Sequence, residues 1–381
     1  VPDEARDRSP LPDGLGRGPG EREALLLLRC LLGIRPDHLH DLLCHEGSAS
    51  AALRSIERGQ AGTQGDRRFL ARADPDRIAR DVTDRGGVFL VPGEPGYAPT
   101  LARLQLPPPG IFSRGPRLPL GDDRVSVVGT RTPSDGARDV AADIATHLAM
   151  HGVVVVSGGA MGIDAVAHRA ALDAGGRSVA VLACGIDRTY PRTNQALIAR
   201  LETTGTVVSE YPPGVPAEAR RFPLRNRLIA ALGRAVVIVE GTARSGTRLT
   251  AQHAETLGVD IFAVPGSPTQ PLAETPLELL RDGARLIRGG ADLIRDLALE
   301  GVGDPARAAA PDGLPPAERD VLRALDRPML PDAVARKTSL SIGEAFATLV
   351  ELELRGLVRG VGGRFERTFG GGPVGVGAPG G

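Results

Sequence analysis

Six short apolar runs between residues 125 and 265 constrain this chain more than any other feature in it. They are residues 125–128, 153–156, 178–182, 206–208, 235–239 and 260–264, all rich in β-branched side chains. Their apolar character is continuous rather than alternating, as in parallel strands covered by helices on both faces. Segments long enough for crossover helices separate them, residues 134–151 and 164–174 among them. The pattern predicts a doubly wound, mostly parallel α/β sheet. Ligands bind such sheets beyond the carboxyl ends of the strands, so the post-strand loops are where a site is expected.

Three of those loops share a chemistry. The first run ends in Gly129-Thr130-Arg131, the second in Ser157-Gly158-Gly159, and the fifth leads through Glu240 to Arg244-Ser245-Gly246-Thr247. Each puts small residues, hydroxyls and backbone N–H groups at an expected helix N-terminus, where orphan donors and the helix dipole favour an anion. Glycines that serve only tight strand-to-helix turns are the plainer explanation for any one loop; three together favour a multi-phosphate site. The dinucleotide fingerprint G-x-G-x-x-G is absent, because Arg131 stands where its second glycine would let a pyrophosphate approach. A Walker A loop needs a lysine, and the chain's one lysine, Lys337, lies far away in a helical segment. Neither an ordinary NAD enzyme nor a P-loop ATPase fits.

The most basic stretch follows the fourth run. From Arg220 to Arg248 there are seven arginines and one acid, Glu240. Beside anion-binding loops this reads as a track for a phosphate backbone. Phe222 sits among the arginines in a chain with eight Phe and no Trp, a candidate platform for base stacking. A hydrophobic staple beneath a solvated arginine face explains the same residues. Other constellations are weaker. His147 and His151 lack the Glu of a zincin helix, and His38, His40, Cys44 and His45 lack paired metal-ligand spacing. Asp164 and His168, four apart, suit an orienting role. With no nucleophile–base pair and no metal cluster, the sequence points to binding rather than catalysis, and no cofactor is expected.

The remainder divides by composition. Residues 1–20 are Pro-, Gly- and charge-rich and are expected to be disordered. Residues 21–80 show helical periodicity, and a Pro-rich extended connector follows at 88–117. Residues 301–313 read as a linker. Residues 314–368 read as three helices closed by a hairpin, a winged helix, and residues 369–381 as a disordered tail. In the expected recognition helix, residues 341–355, Arg355 is the one basic residue against Glu344, Glu351 and Glu353. Basic and acidic residues balance at 46 each, which permits a local basic patch but no general positive coat. Three widely spaced cysteines predict a reduced, cytoplasmic protein, and no apolar run is long enough to span a membrane.

Taken together, Val128-Gly-Thr-Arg131, Ser157 to Asp164 with His168, Gly185 to Pro191 with Asn194, and Ser209-Glu-Tyr-Pro-Pro213 resemble the DNA-processing protein DprA (Smf) family. So do Phe222-Pro-Leu-Arg225-Asn226-Arg227, Ser245-Gly-Thr-Arg-Leu-Thr-Ala251 and Ala263-Val-Pro-Gly266, in matching order across residues 88–295. The resemblance implies an extended Rossmann domain, here residues 81–300, that binds single-stranded DNA without catalysis. It also implies dimerisation through that domain and loading of the RecA recombinase. By motif, Gly129, Thr130, Arg131 and Ser157, Gly158, Gly159 would hold phosphates, and Phe222 would stack on a base. Arg225, Asn226 and Arg227 would line the groove, with Arg244, Ser245, Gly246 and Thr247 as a further anion loop. Two departures stand out: Met161 replaces a usual basic residue, and Glu274 adds negative charge near the groove. An alternative of another class is a nucleotide-binding Rossmann enzyme of the phosphoribohydrolase type, whose phosphate loop the run from Glu240 to Thr247 distantly resembles.

Overall fold

The computed structural model describes residues 9–116, 123–243, 245–297, 314–325, 329–355, 357–361 and 363–367. Five helices come first: α1 (Pro19–Cys30), α2 (Pro36–Glu46), α3 (Ala49–Glu57), α4 (Gln64–Leu70) and α5 (Pro75–Asp84). Their starts follow from local chemistry. Proline occupies the first turn of α1, α2 and α5, where its missing N–H costs nothing. Ser48 caps α3, and Thr63 with Asp66 forms a capping box on α4. The buried leucines of α1 and α2 share one core with Phe89, Phe112, Leu182 and Leu201 of the sheet region, and α1 packs on β6. Of the segment expected to be disordered, residues 9–20 are ordered into turns and the start of α1. Leu15 is buried there, and the Ser9 carbonyl bonds the His40 ring. One buried leucine anchors what composition alone reads as a free end.

The sheet has nine strands in the order β1-β2-β6-β5-β4-β3-β7-β8-β9. These are β1 (Gly87–Leu90), β2 (Ile111–Arg114), β3 (Arg124–Val128), β4 (Val154–Ser157), β5 (Ser178–Gly185), β6 (Thr206–Tyr211), β7 (Ala235–Ile238), β8 (Asp260–Ala263) and β9 (Arg285–Leu286). From β6 across to β9 every pair is parallel. Strands β1 and β2 add an antiparallel edge, so the Pro-rich connector supplies sheet rather than a mere cover. Helices α6 (Asp135–Met150), α7 (Ile163–Asp173), α8 (Gln195–Thr204), α9 (Arg221–Leu232), α10 (Gly246–Leu257), α11 (Glu274–Arg281) and α12 (Gly290–Asp296) cover its two faces. The burial explains the unbroken apolar runs. Val153 and Val155 face one layer with α6, while Val154 and Val156 face the other with α9 and α10.

From β3 the chain first winds outward through β4, β5 and β6, then returns to place β7 on the other flank of β3. The switch point therefore lies between β3 and β7, and the loops after β3, β4 and β7 open onto it. That topology is why three loops far apart in sequence share one crevice.

A winged helix follows: α13 (Pro316–Ala324), α14 (Pro331–Thr338), α15 (Ile342–Leu354) and the hairpin β10 (Val358–Val361) with β11 (Arg364–Arg367). Val321, Val334, Leu349, Leu352 and Phe365 form its core, and Ser341 with Glu344 boxes the start of α15. The expected linker at 301–313 and tail at 369–381 lie outside the described residues. Among the described residues, no helix is long and apolar enough to cross a membrane.

Candidate nucleic-acid interface

At the switch point a groove of about 780 Å3 runs between the three loops and the start of α9. Its rim is built from side chains that face outward. Arg131 is exposed after β3, and its guanidinium lies over the Phe222 ring at 5.0 Å. Tyr190, half exposed after β5, meets Phe222 edge-on, with ring centroids 5.6 Å apart. The three make a continuous π and cation–π surface at the mouth. Arg188 and Arg192, flanking Tyr190, are exposed alongside it. Arg188 and Tyr190 lie in the run from Gly185 to Pro191 that carries the resemblance but have no expected site role there, and Arg192 is not singled out in the sequence; the rule that sites follow strand ends applies to the loop after β5 as well and points to them.

The floor is a different construction, and it corrects the reading of Ser157, Gly158 and Gly159 as a phosphate loop. Asp164 accepts the N–H groups of Gly158 and Ala160 at 3.1 and 3.4 Å, and His168 Nε2 accepts that of Gly159 at 3.2 Å. Asn194 Nδ2 donates to the carbonyls of Gly159 and Ala160, both at 3.0 Å. Ser157 donates its hydroxyl to the Val127 carbonyl and is fully buried. The loop's donors are thus spent inside the protein. Burial pushes the His168 imidazole down to about 3, so it stays neutral, and its other ring nitrogen bonds Ser178 at 2.7 Å. Burial likewise raises the Asp164 carboxyl, against the pull of Arg225. Asp164 and His168 do orient, each through the loop rather than through one another.

Arg225 and Asn226 line the groove as expected, but Arg225 is not a free cation, and Arg227 is buried outside the lining. Arg225 is buried, with Nη1 donating to the Gly158 carbonyl at 2.5 Å and to that of Val181. Its guanidinium fills the space where a Cβ on Gly158 would sit, which is why that position is glycine. Arg227 forms a buried two-bond fork with Glu210, at 2.7 and 2.8 Å. Asn226, also buried, holds the Gly246 carbonyl at the start of α10. The apparent track of free charge dissolves further: Arg220 and Arg221 pair with Glu218, Arg234 with Asp123 and Arg248 with Glu278. A run with one acid in sequence is neutralised largely by acids outside it.

The first and third loops are tied to each other by Glu240, whose carboxylate accepts from Ser134 N at 3.0 Å and Ser134 Oγ at 2.7 Å. Thr130 offers its carbonyl to Ile163 N, and Gly129 packs against Ile163. Gly162, at φ +79°, approaches Thr130 so closely that any Cβ would strike its carbonyl. In the third loop Ala243 N donates to Glu274 at 3.1 Å, so Glu274 braces the loop as well as adding charge. Ser245 lies before α10 without capping it, and its buried Oγ has no hydrogen-bond partner. Thr247 is buried beside Gly241 and Gly246 is exposed. Arg244 lies outside the described residues. Arg225 Nε is likewise buried without a partner, so two residues of the groove lining, Ser245 and Arg225, each keep a buried unsatisfied polar atom. Met161 stands exposed on α7's approach.

A doubly wound Rossmann-type sheet without a dinucleotide fingerprint, with an arginine–aromatic rim at its switch point and a winged helix after it, defines a distinct class of protein. Residues 88–298 match the family model described as DNA recombination-mediator protein A, and residues 305–364 match the DprA winged helix domain. The chain belongs to the DNA-processing protein A (DprA, Smf) family. It is 39% identical over 342 residues to a putative DNA processing protein DprA of Mycobacterium tuberculosis, covering 84% of this chain and 87% of that protein. It is 32% identical to Protein Smf of Synechocystis, covering 75% and 81%. Among solved structures, DprA from Streptococcus pneumoniae superposes with a TM-score of 0.57 at 28% identity, covering 71% of this chain and 95% of that one. DprA from Helicobacter pylori, described with its single-stranded DNA binding mode, gives 0.50 at 26% identity, covering 56% and 96%.

Proposed function

We propose that this chain is a single-stranded DNA-binding recombination mediator. It holds incoming or exposed strands in the switch-point groove and loads the RecA recombinase onto them in the cytoplasm. The observation that carries the reading is the rim, where Arg131 and Tyr190 both pack on Phe222. Such a surface accepts any base on its aromatic faces and meets the phosphates with guanidinium groups. The activity is binding without catalysis: Asp164, which lines the groove, and Glu240 are both committed to holding loops. RecA loading and a homodimer through the Rossmann domain follow from the family resemblance.

The test is fluorescence anisotropy with labelled single strands, blunt duplex and mononucleotides. Single strands should bind in preference to duplex with little sequence selectivity. Duplex binding as tight as single-strand binding would count against the proposal. Saturable mononucleotide binding without strand binding would favour the phosphoribohydrolase-type alternative. Sedimentation, and strand exchange with purified RecA, address the assembly and the loading separately.

A further inference from the structure

The segment that forms the rim has a second side. Phe222 and Ala219 face the switch-point groove, whereas Arg220, Arg221 and Leu224 face a cleft of about 1070 Å3 against the turn between α1 and α2. The opposite wall is made by Leu32, Arg35 and Leu39, and the inner end by Arg29 and Glu210. Two large apolar side chains stand exposed at its mouth, Leu32 at 47% and Leu224 at 37%. Within, Arg221 lies across the Tyr211 ring at 5.0 Å. Arg29 is only 8% exposed, and its Nε has no hydrogen-bond partner. Four arginines line the cleft against two carboxylates. Both carboxylates are engaged, Glu210 by Arg227 and Asp37 by Arg35, while Arg220 and Arg221 share the single carboxylate of Glu218, so the cleft keeps more guanidinium than carboxylate.

We propose that this cleft takes the continuation of a single strand held in the groove, so that the helical region and the sheet clamp one polymer between them. The proposal rests on the strand-binding reading above. An apolar mouth receives unstacked bases, the guanidinium–tyrosine pair offers a planar face, and the arginine excess suits phosphates. The groove and the cleft are the two sides of one short stretch of chain, residues 219–224, so a strand leaving Phe222 passes directly to Leu224. A docked protein segment would use the apolar mouth but not the Arg221–Tyr211 face or the unpartnered Nε of Arg29.

The experiment compares oligothymidylates of about four and about sixteen nucleotides, the range of site sizes for such grooves. The double variant Leu32→Asp, Arg35→Ala is measured beside Phe222→Ala, with folding checked by circular dichroism and urea denaturation. Wild-type affinity should rise with length. The double variant should bind the short oligomer normally and bind the long one about tenfold more weakly. Phe222→Ala should weaken both lengths. Unchanged affinity of the double variant for the long oligomer overturns the cleft and leaves it to a protein segment; equal weakening at both lengths also overturns it. If Phe222→Ala has no effect while the double variant still fails on the long oligomer, the cleft stands and the groove reading fails.

Discussion

Helix α9 carries both halves of the groove within two turns. Phe222 stands at the rim, half-buried and in contact with two exposed side chains; Arg225, which also lines the groove, and Arg227, which does not, are buried and held by protein groups. The same residue type thus has opposite roles at Arg131 and Arg227. A guanidinium in water is available to a phosphate, whereas a buried one survives only when its donors are met within the protein. The rim should therefore report on affinity and the floor on stability. Arg227→Ala is the largest expected effect: it leaves Glu210 buried without its partner, a cost of about 3–5 kcal/mol. Urea denaturation would show it as a lowered midpoint. A fully stable Arg227→Ala protein with weakened strand binding would erase the distinction between floor and rim.

The second prediction sharpens the rim. Phe222→Ala removes a stacking surface worth about 1–3 kcal/mol, so affinity for single strands should fall roughly five- to 150-fold with the salt dependence unchanged. Arg131→Ala should lower affinity for all sequences alike and flatten the slope of log affinity against log salt by about 0.7. Both proteins should keep their denaturation midpoints. Normal binding by a folded Phe222→Ala, beside a failing Arg131→Ala, would make the site purely electrostatic.

The parallel heart of the fold was legible because each of its strands is apolar on both faces, a pattern few other structures require. Strands β1 and β2 were hidden by prolines and by their place at an antiparallel edge, and β9 by being two residues long. In the site, Phe222 was legible as an aromatic among arginines, and Arg131 as the residue that breaks a glycine fingerprint. The floor was not. Arg225 bonds a carbonyl 67 residues away and Arg227 a carboxylate 17 residues back, and nothing local marks either pairing. Counting charge along the chain treats arginines as free until a fold supplies their acids.

The third prediction concerns the loop that the floor supports. His168 is neutral in the folded protein, pushed down to about 3 by burial, while an unfolded histidine titrates near 6.5. Between those values the unfolded chain binds the extra proton, so acidification through that window should destabilise the protein and loosen the loop from Gly158 to Ala160. His168→Gln keeps an acceptor and a donor but cannot titrate. It should flatten the pH dependence of the unfolding free energy there by up to one proton. An identical pH profile in the variant would remove His168 as the cause.

The smallest expected effect is on the winged helix, and it tests whether strand binding belongs to the groove alone. A helix that reads a major groove presents basic and polar side chains outward. The outward positions of α15 are instead Ile342, Phe346 and Leu354, all strongly exposed, with Glu344, Glu351 and Glu353 beside them. Arg355 is drawn into pairs with Glu318 and Glu351. That surface repels a phosphate backbone more than it attracts one, and an acidic helix adjoining a bound strand would work against the rim. The hairpin does contain Arg359, Arg364 and Arg367 in its sequence, so a contribution to duplex affinity is compatible with this picture. Ending the chain after residue 313 should then leave single-strand affinity and its salt slope unchanged, even if duplex binding falls. A drop of about tenfold for single strands, equivalent to some 1.4 kcal/mol, would place part of the strand site on the winged helix. It would also mean that the groove at the switch point is incomplete without it.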